Sequence, residues 1–456
     1  MKGDIMKLPT GLAIAAGTTL FAALPAWAQD AALQAPAAAA PAATVDKGDT
    51  AWMMMSTVLV LAMILPGLAL FYGGLARAKN MLSVMTQIGA VACLAMLIWV
   101  IYGYSLAFGP ESALPSKFIA GFGKAFLAGV TPASQAATFT AGVEIPEYVF
   151  ICFQMTFAAI TIALVLGSAV ERIKFSAVML FALVWLTIVY LPIAHMVWAA
   201  GGWFFDMGAL DFAGGTVVHI NAGVSALVLA ILLGKRIGYP TERMAPHSLT
   251  LTMVGTGLLW VGWFGFNAGS ALEANGSAAL AMINTFVATA SAGLFWMLAE
   301  RFSGHKGSAL GFCSGIIAGL VAVTPAAGNS GPFGAIVLGA VASIVCYFAV
   351  TFLKPKLGYD DSLDAFGIHG VGGMVGAIGT AIVYAPSLGG PGAADYDMGA
   401  KLGVQLLAVV VTIAWAAIGT TIAFFIAKAV TGGRVSPEVE IEGLDLGEHG
   451  ERAYNY

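Results

Sequence analysis

The sequence predicts an all-α polytopic membrane protein with eleven transmembrane helices. Three observations carry that prediction. The 456 residues are 59% hydrophobic and only 10% charged, far more apolar than a soluble globular domain. Apolar runs of about 20 residues, enough to cross the hydrocarbon of a bilayer, recur along the chain. The basic residues between those runs gather on alternate loops, as orientation by positive charge requires.

The elements follow in order. Residues 1–28 read as a cleaved secretory signal, with basic Lys7, an apolar stretch to Leu24 and the small residues of "AWA" ending at Ala28. Residues 29–48 form an Ala/Pro-rich leader, placed in the periplasm by that signal. Eleven spans are expected near 52–75, 84–108, 147–169, 175–195, 216–234, 248–271, 277–299, 308–324, 332–353, 368–385 and 401–430. An odd number places the two ends on opposite sides. With the start outside, the inner loops hold Arg77, Lys79, Arg172, Lys174, Lys235, Arg236, Arg243, Arg301, Lys306, Lys354 and Lys356, and the outer loops hold Lys117, Lys124 and Lys401. The bias agrees with the signal peptide and gives an N-out/C-in membrane domain over 49–430, with a cytoplasmic tail over 431–456.

Composition also excludes. A net charge of −4 without any Lys/Arg-rich run offers no surface for nucleic acid. Cys93, Cys152, Cys313 and Cys346 lie in apolar runs without CxxC spacing, so they read as small core packers rather than disulfides or a zinc site. Glu171 with Arg172 and Lys174 reads as a solvated cluster at a span end. The 57 glycines, in patterns such as "GIIAG" and "GVGGMVGAIG", predict closely packed helices and room for only a narrow path.

Six histidines occur, and four have ordinary settings: His195 at a span end, and His247, His305 and His449 in loops or the tail. His219 and His369 differ. Each opens a span, follows an Asp/Gly-containing approach and precedes small residues, and their spans, the fifth and the tenth, are five apart. That correspondence predicts two inverted five-helix repeats plus a long eleventh helix, with a site at the midplane between the repeats. Ionisable side chains at such depth are costly and mark transport paths or proton relays. A buried metal is the rival reading, and it lacks a third ligand at similar depth, so no metal or cofactor is expected.

"PGLALFYGGLARAKN", "FQMTFAAITIALVLGSAVERIKFSA", "PIAHMVW", "GALDFAGGTVVHINAG", "GWFGFNAGSA", "SGIIAGLVAVTPAAG", "FGIHGVGG" and "GLDLGEHGERAYN" stand in this order between Asp49 and Tyr456. They resemble the bacterial Amt branch of the Amt/MEP/Rh ammonium transporters. The resemblance implies a homotrimer in the bacterial inner membrane, with one pore per subunit, no enzymatic activity, and a PII-type signalling partner of the GlnK kind docking on the cytoplasmic face. By motif, Phe153, Trp198 and Ser270 resemble the periplasmic recognition site, Phe157 and Phe266 the stacked gate, and His219 and His369 the twin pore histidines. Asp211, Trp263 and Thr324 resemble their structural or deprotonating support.

Asp211 also reads from its own position as a carboxylate capping backbone N–H groups where the fifth helix starts. The function expected is ammonium recruitment, deprotonation and passage of ammonia, with or without a separately carried proton. The alternative is an ammonium sensor signalling through the tail, and the absence of a kinase or cyclase segment after Tyr456 is taken to favour transport. By composition alone that tail reads as disordered.

Overall fold

The computed structural model describes residues 44–110 and 116–455. The expected signal peptide and most of the expected leader lie outside them. Among the described residues, eleven helices are long and apolar enough to cross a membrane. They are α1 Lys47–Leu75, α2 Ala78–Phe108, α3 Glu147–Leu166, α4 Phe175–Asp206, α5 Gly215–Leu233, α6 Leu249–Gly269, α7 Gly276–Phe302, α8 Ala309–Ala326, α9 Pro332–Leu357, α10 Phe366–Val383 and α11 Met398–Thr431. Every expected span is found. The first, second and ninth run several residues beyond the apolar stretches, because polar residues extend a helix past the hydrocarbon. The fourth reaches Asp206 only across a break, its helix ending at Trp198 and a short helix Trp203–Asp206 following extended Ala199 and left-handed Gly201.

Local chemistry fixes where several helices begin. Asp46, Ser248, Asn275, Ser308 and Asp397 each accept from a backbone N–H of the first turn of α1, α6, α7, α8 and α11, which supplies partners for donors that a helix start leaves unpaired. Between α2 and α3 a short antiparallel pair, Gln135–Ala137 with Val143–Pro146, lies over one end of the bundle.

Helices α7, α8 and α9 pack through small residues. A methyl group at Gly315 would meet the Ala292 carbonyl at 2.7 Å, and one at Gly339 would meet the Ala288 carbonyl at 2.2 Å. In lipid such close approach substitutes for the missing hydrophobic drive between helices.

Three expectations need correction. Cys93 and Cys152 are exposed on the outside of the bundle, and only Cys313 and Cys346 are buried; an apolar run does not say which face of a membrane helix looks inward. The Glu171 cluster is not solvated: Glu171 is 1% and Arg172 0% exposed. Glu171 bonds Arg77 and Arg236, both at 2.9 Å, and Arg236 bonds Asp360 at 2.7 Å. Arg172 donates to the Gly234 and Asp360 carbonyls and to Ser362. Four loops distant in sequence converge here, which local charge pattern cannot reveal.

Finally, the tail is ordered. Pro437–Glu442 and Leu444–His449 are short helices laid against the loops beside α1, α2, α4 and α5. Glu440 accepts from Ile237 N–H at 2.7 Å and pairs with Arg434, while Asp445 accepts from Ser83 N–H at 2.7 Å. Gly443, at φ 113°, sits where any side chain would strike Lys79.

Candidate functional site: an aromatic column ending on two imidazoles

Helix α5 carries His219 and α10 carries His369, and the two side chains meet. Nδ1 of one lies 3.3 Å from Nδ1 of the other, both fully enclosed, with ring centroids 5.4 Å apart. Each histidine lies in a wide π-type turn opening its helix, Gly215–Ile220 and Phe366–Gly370, a local widening common at functional positions.

The same frame builds both openings. Asp211 precedes His219 by eight residues, and Asp361 precedes His369 by eight. Asp361 accepts from Ala365 and Phe366 N–H at 3.1 and 2.8 Å. Asp211 accepts from the matching Gly215 and Thr216, and in addition from Gly214 at 3.0 Å, Val217 at 3.2 Å and the Thr216 hydroxyl. Four residues after each histidine stands a glycine. A methyl group on Gly223 would lie 2.1 Å from Gly370 N, and one on Gly373 would lie 3.0 Å from His219 Cβ. Residue numbers therefore rise along one helix as they fall along the other, an antiparallel crossing at the histidines. The repeated Asp-x7-His-x3-Gly spacing is a signal present in the sequence that identifies Asp361, Gly223 and Gly373 as parts of the site.

From the histidines a column of rings runs toward one end of the bundle. Phe266 lies 6.0 Å from His219 between centroids, Phe157 lies 4.3 Å from Phe266, and both Phe153 and Trp198 contact Phe157, at 4.9 and 5.6 Å. Phe153, Phe157 and Phe266 are buried, while Trp198 is half-buried and Ser270 8% exposed. The Ser270 hydroxyl donates to the Phe266 carbonyl at 2.8 Å, leaving its oxygen lone pairs free. Trp198 Nε1 donates to the Asp211 carbonyl at 2.9 Å. Asp211 thus holds the indole with its backbone and caps α5 with its side chain. Burial pushes the Asp211 carboxyl above its ordinary range, and the donors from Thr216, Val217 and Gly215 oppose that.

Behind His219, Thr324 Oγ1 lies 3.4 Å from Nε2 and accepts from Trp263 Nε1 at 2.9 Å. Leu68, Ile160, Leu259 and Ile317 complete an apolar sleeve around the imidazoles. On its other side His369 borders a cavity of about 380 Å³ that also touches Tyr72, Arg236, Trp296, Glu300 and Asp364. All ten residues singled out from the sequence, Phe153, Phe157, Trp198, Asp211, His219, Trp263, Phe266, Ser270, Thr324 and His369, fall in this continuous assembly.

Fold and site together define a multi-pass helical membrane protein in which a buried column of aromatic rings ends on paired imidazoles. The chain belongs to the ammonium transporter family, whose model matches residues 51–454. An ammonium transporter of Aquifex aeolicus (strain VF5) is 46% identical over 417 residues, covering 91% of this chain and 95% of that one. One of Bacillus subtilis (strain 168) is 44% identical over 411 residues, covering 89% and 98%. Among solved structures, a Sensor Amt Protein superimposes with a TM-score of 0.80 at 29% identity, covering 88% of this chain and 98% of its own. Candida albicans Mep2 gives 0.77 at 35% identity, covering 86% and 87%.

Proposed function

We propose that this protein is an ammonium transporter of the bacterial inner membrane, with its N-terminus periplasmic, its C-terminus cytoplasmic and its two five-helix halves in inverted arrangement. The observation that carries the reading is the His219–His369 contact inside an apolar sleeve at the end of an aromatic column. The antiparallel crossing of α5 and α10 and the recurring Asp/His/Gly frame support the inverted halves.

The mechanism follows from what ammonium is. A compact cation with four N–H donors faces a cost of tens of kcal/mol, by the Born argument, on entering a low-dielectric tube. Neutral ammonia does not. Trp198 and Phe153 recruit the cation, since an aromatic face contributes about 0.5–2 kcal/mol according to desolvation. Ser270 accepts one of its N–H groups with the lone pairs that its own bond to Phe266 leaves free. Phe157 and Phe266 close the way to a hydrated ion, so the substrate sheds a proton before passing. This step separates ammonium from potassium, which has no proton to lose.

Thr324 directs the polarity of the pair. Its one hydroxyl proton goes to the Leu320 carbonyl at 2.8 Å, so it receives Nε2–H of His219. His219 Nδ1 then accepts Nδ1–H of His369, and His369 Nε2 is left as an acceptor. A neutral imidazole donates at one nitrogen and accepts at the other, so the pair passes hydrogen bonds along the path and supplies a route for a separated proton. Asp211 acts as structural support, holding Trp198 and the start of α5.

Liposomes on a solid-supported membrane test the reading. Ammonium should evoke a current, potassium none, and His219→Ala and His369→Ala should abolish it. A silent wild type with internal alkalinisation would replace ion transport by neutral ammonia flux. A sensor reading is favoured by the likeness to the Sensor Amt Protein; ammonium binding with neither signal would select it. We further propose a homotrimer, which light scattering of the detergent-purified protein would show as three chains per particle. A PII-type protein of the GlnK kind is its proposed cytoplasmic partner, and co-purification under ammonium upshift checks it.

A further inference from the structure

Gln405, eight residues into α11, is 2% exposed, so its carboxamide must find partners inside the protein. It finds three. Oε1 accepts from Leu210 N–H at 2.8 Å, while Nε2 donates to the Leu210 carbonyl at 2.8 Å and to the Ala377 carbonyl at 2.7 Å. One residue is gripped through both of its backbone polar groups, and the same amide reaches α10 two turns beyond His369. Lys401, one turn earlier on α11, donates to the Gly208 carbonyl. Leu210 immediately precedes Asp211, which carries the Trp198 bond and the α5 cap.

We propose that Gln405 is a positioning residue for the recognition site and the histidine pair, locking the Leu210–Asp211 peptide against α10. It acts through Asp211 and α10 rather than on the substrate. An apolar side chain of the same length fills the volume but leaves the Leu210 N–H and carbonyl without this partner and the Ala377 carbonyl with only its helical bond. A carboxylate satisfies the N–H and repels both carbonyls; a protonated carboxyl satisfies the N–H and one carbonyl. Glutamate at this position therefore makes the grip depend on pH.

The inference rests on the transport reading, and its test keeps the two apart. Wild type, Gln405→Met and Gln405→Glu are compared in identical liposomes at about pH 5.5 and about pH 8. For Gln405→Met the half-saturating ammonium concentration should rise about tenfold at both pH values, with maximal current kept within about twofold. Gln405→Glu should approach wild type in acid and Gln405→Met in alkali. Elution profile and thermal midpoint check folding; if Gln405→Met does not fold, the pH-dependent ratio of Gln405→Glu to wild type carries the test alone. Wild-type half-saturation in both folded variants overturns the proposal, as does equal loss in both with a ratio that ignores pH. Silence of the wild type itself would instead sink the transport reading.

Discussion

Asp211 and its counterpart Asp361 show how much one side chain can organise. Asp211→Ala strips four backbone N–H groups and the Thr216 hydroxyl of their acceptor. It should cost about 2–4 kcal/mol, summing the usual penalties for a lost cap and unsatisfied donors, whereas Asp211→Asn, which keeps one acceptor oxygen, should cost about half as much. Thermal midpoints in detergent rank the two. Gly223 and Gly373 give a sharper pair. Gly223→Ala meets backbone at 2.1 Å and should prevent the α5–α10 crossing, seen as loss of the folded elution peak. Gly373→Ala meets His219 Cβ at 3.0 Å and should fold with reduced transport.

The histidines were legible from the sequence because titratable residues stand out in apolar spans. The phenylalanines were not legible without the motif resemblance, since 27 of them share the same apolar preference. Gln405 escaped notice because a single amide in a 34-residue helix carries no spacing signal.

At the scale of elements, the spans were readable and the contacts between loops were not. Hydropathy counts residues along one helix, whereas the Arg77–Glu171–Arg236–Asp360 chain joins loops that only folding brings together. That chain makes a pH prediction. Burial alone would raise Glu171, but Arg236 and Arg77 carry it below the ordinary carboxylate range, and Arg236 does the same for Asp360. Groups so depressed contribute stability that is complete above their ordinary values, 4.5 and 3.8, and is lost as pH falls through the lower folded values. The thermal midpoint should therefore drop below about pH 4.5, and Glu171→Gln should flatten the drop while lowering the neutral-pH plateau. The tail makes a second prediction. Glu440→Ala removes the acceptor for Ile237 N–H and the partner of Arg434, and trypsin should then cut after Arg434 about tenfold faster, read by mass spectrometry.

On the scale of the whole molecule, the two histidine-bearing helices share a backbone frame but not their surroundings. His219 is backed by the Thr324 hydroxyl, while His369 borders the 380 Å³ cavity. Matching scaffolds bring the rings together; on the proposed reading, unmatched surroundings decide which nitrogen holds the hydrogen. On the proposed transport reading, a reversible conduit has no thermodynamic arrow, because net flow must vanish when the gradients balance. Its kinetics are nonetheless lopsided: a traveller arriving from one end meets an aromatic antechamber and a ring backed by the Thr324 acceptor, and one from the other meets an open acceptor. Saturation measured from the two faces should accordingly occur at different concentrations, a disparity that oriented vesicles would reveal.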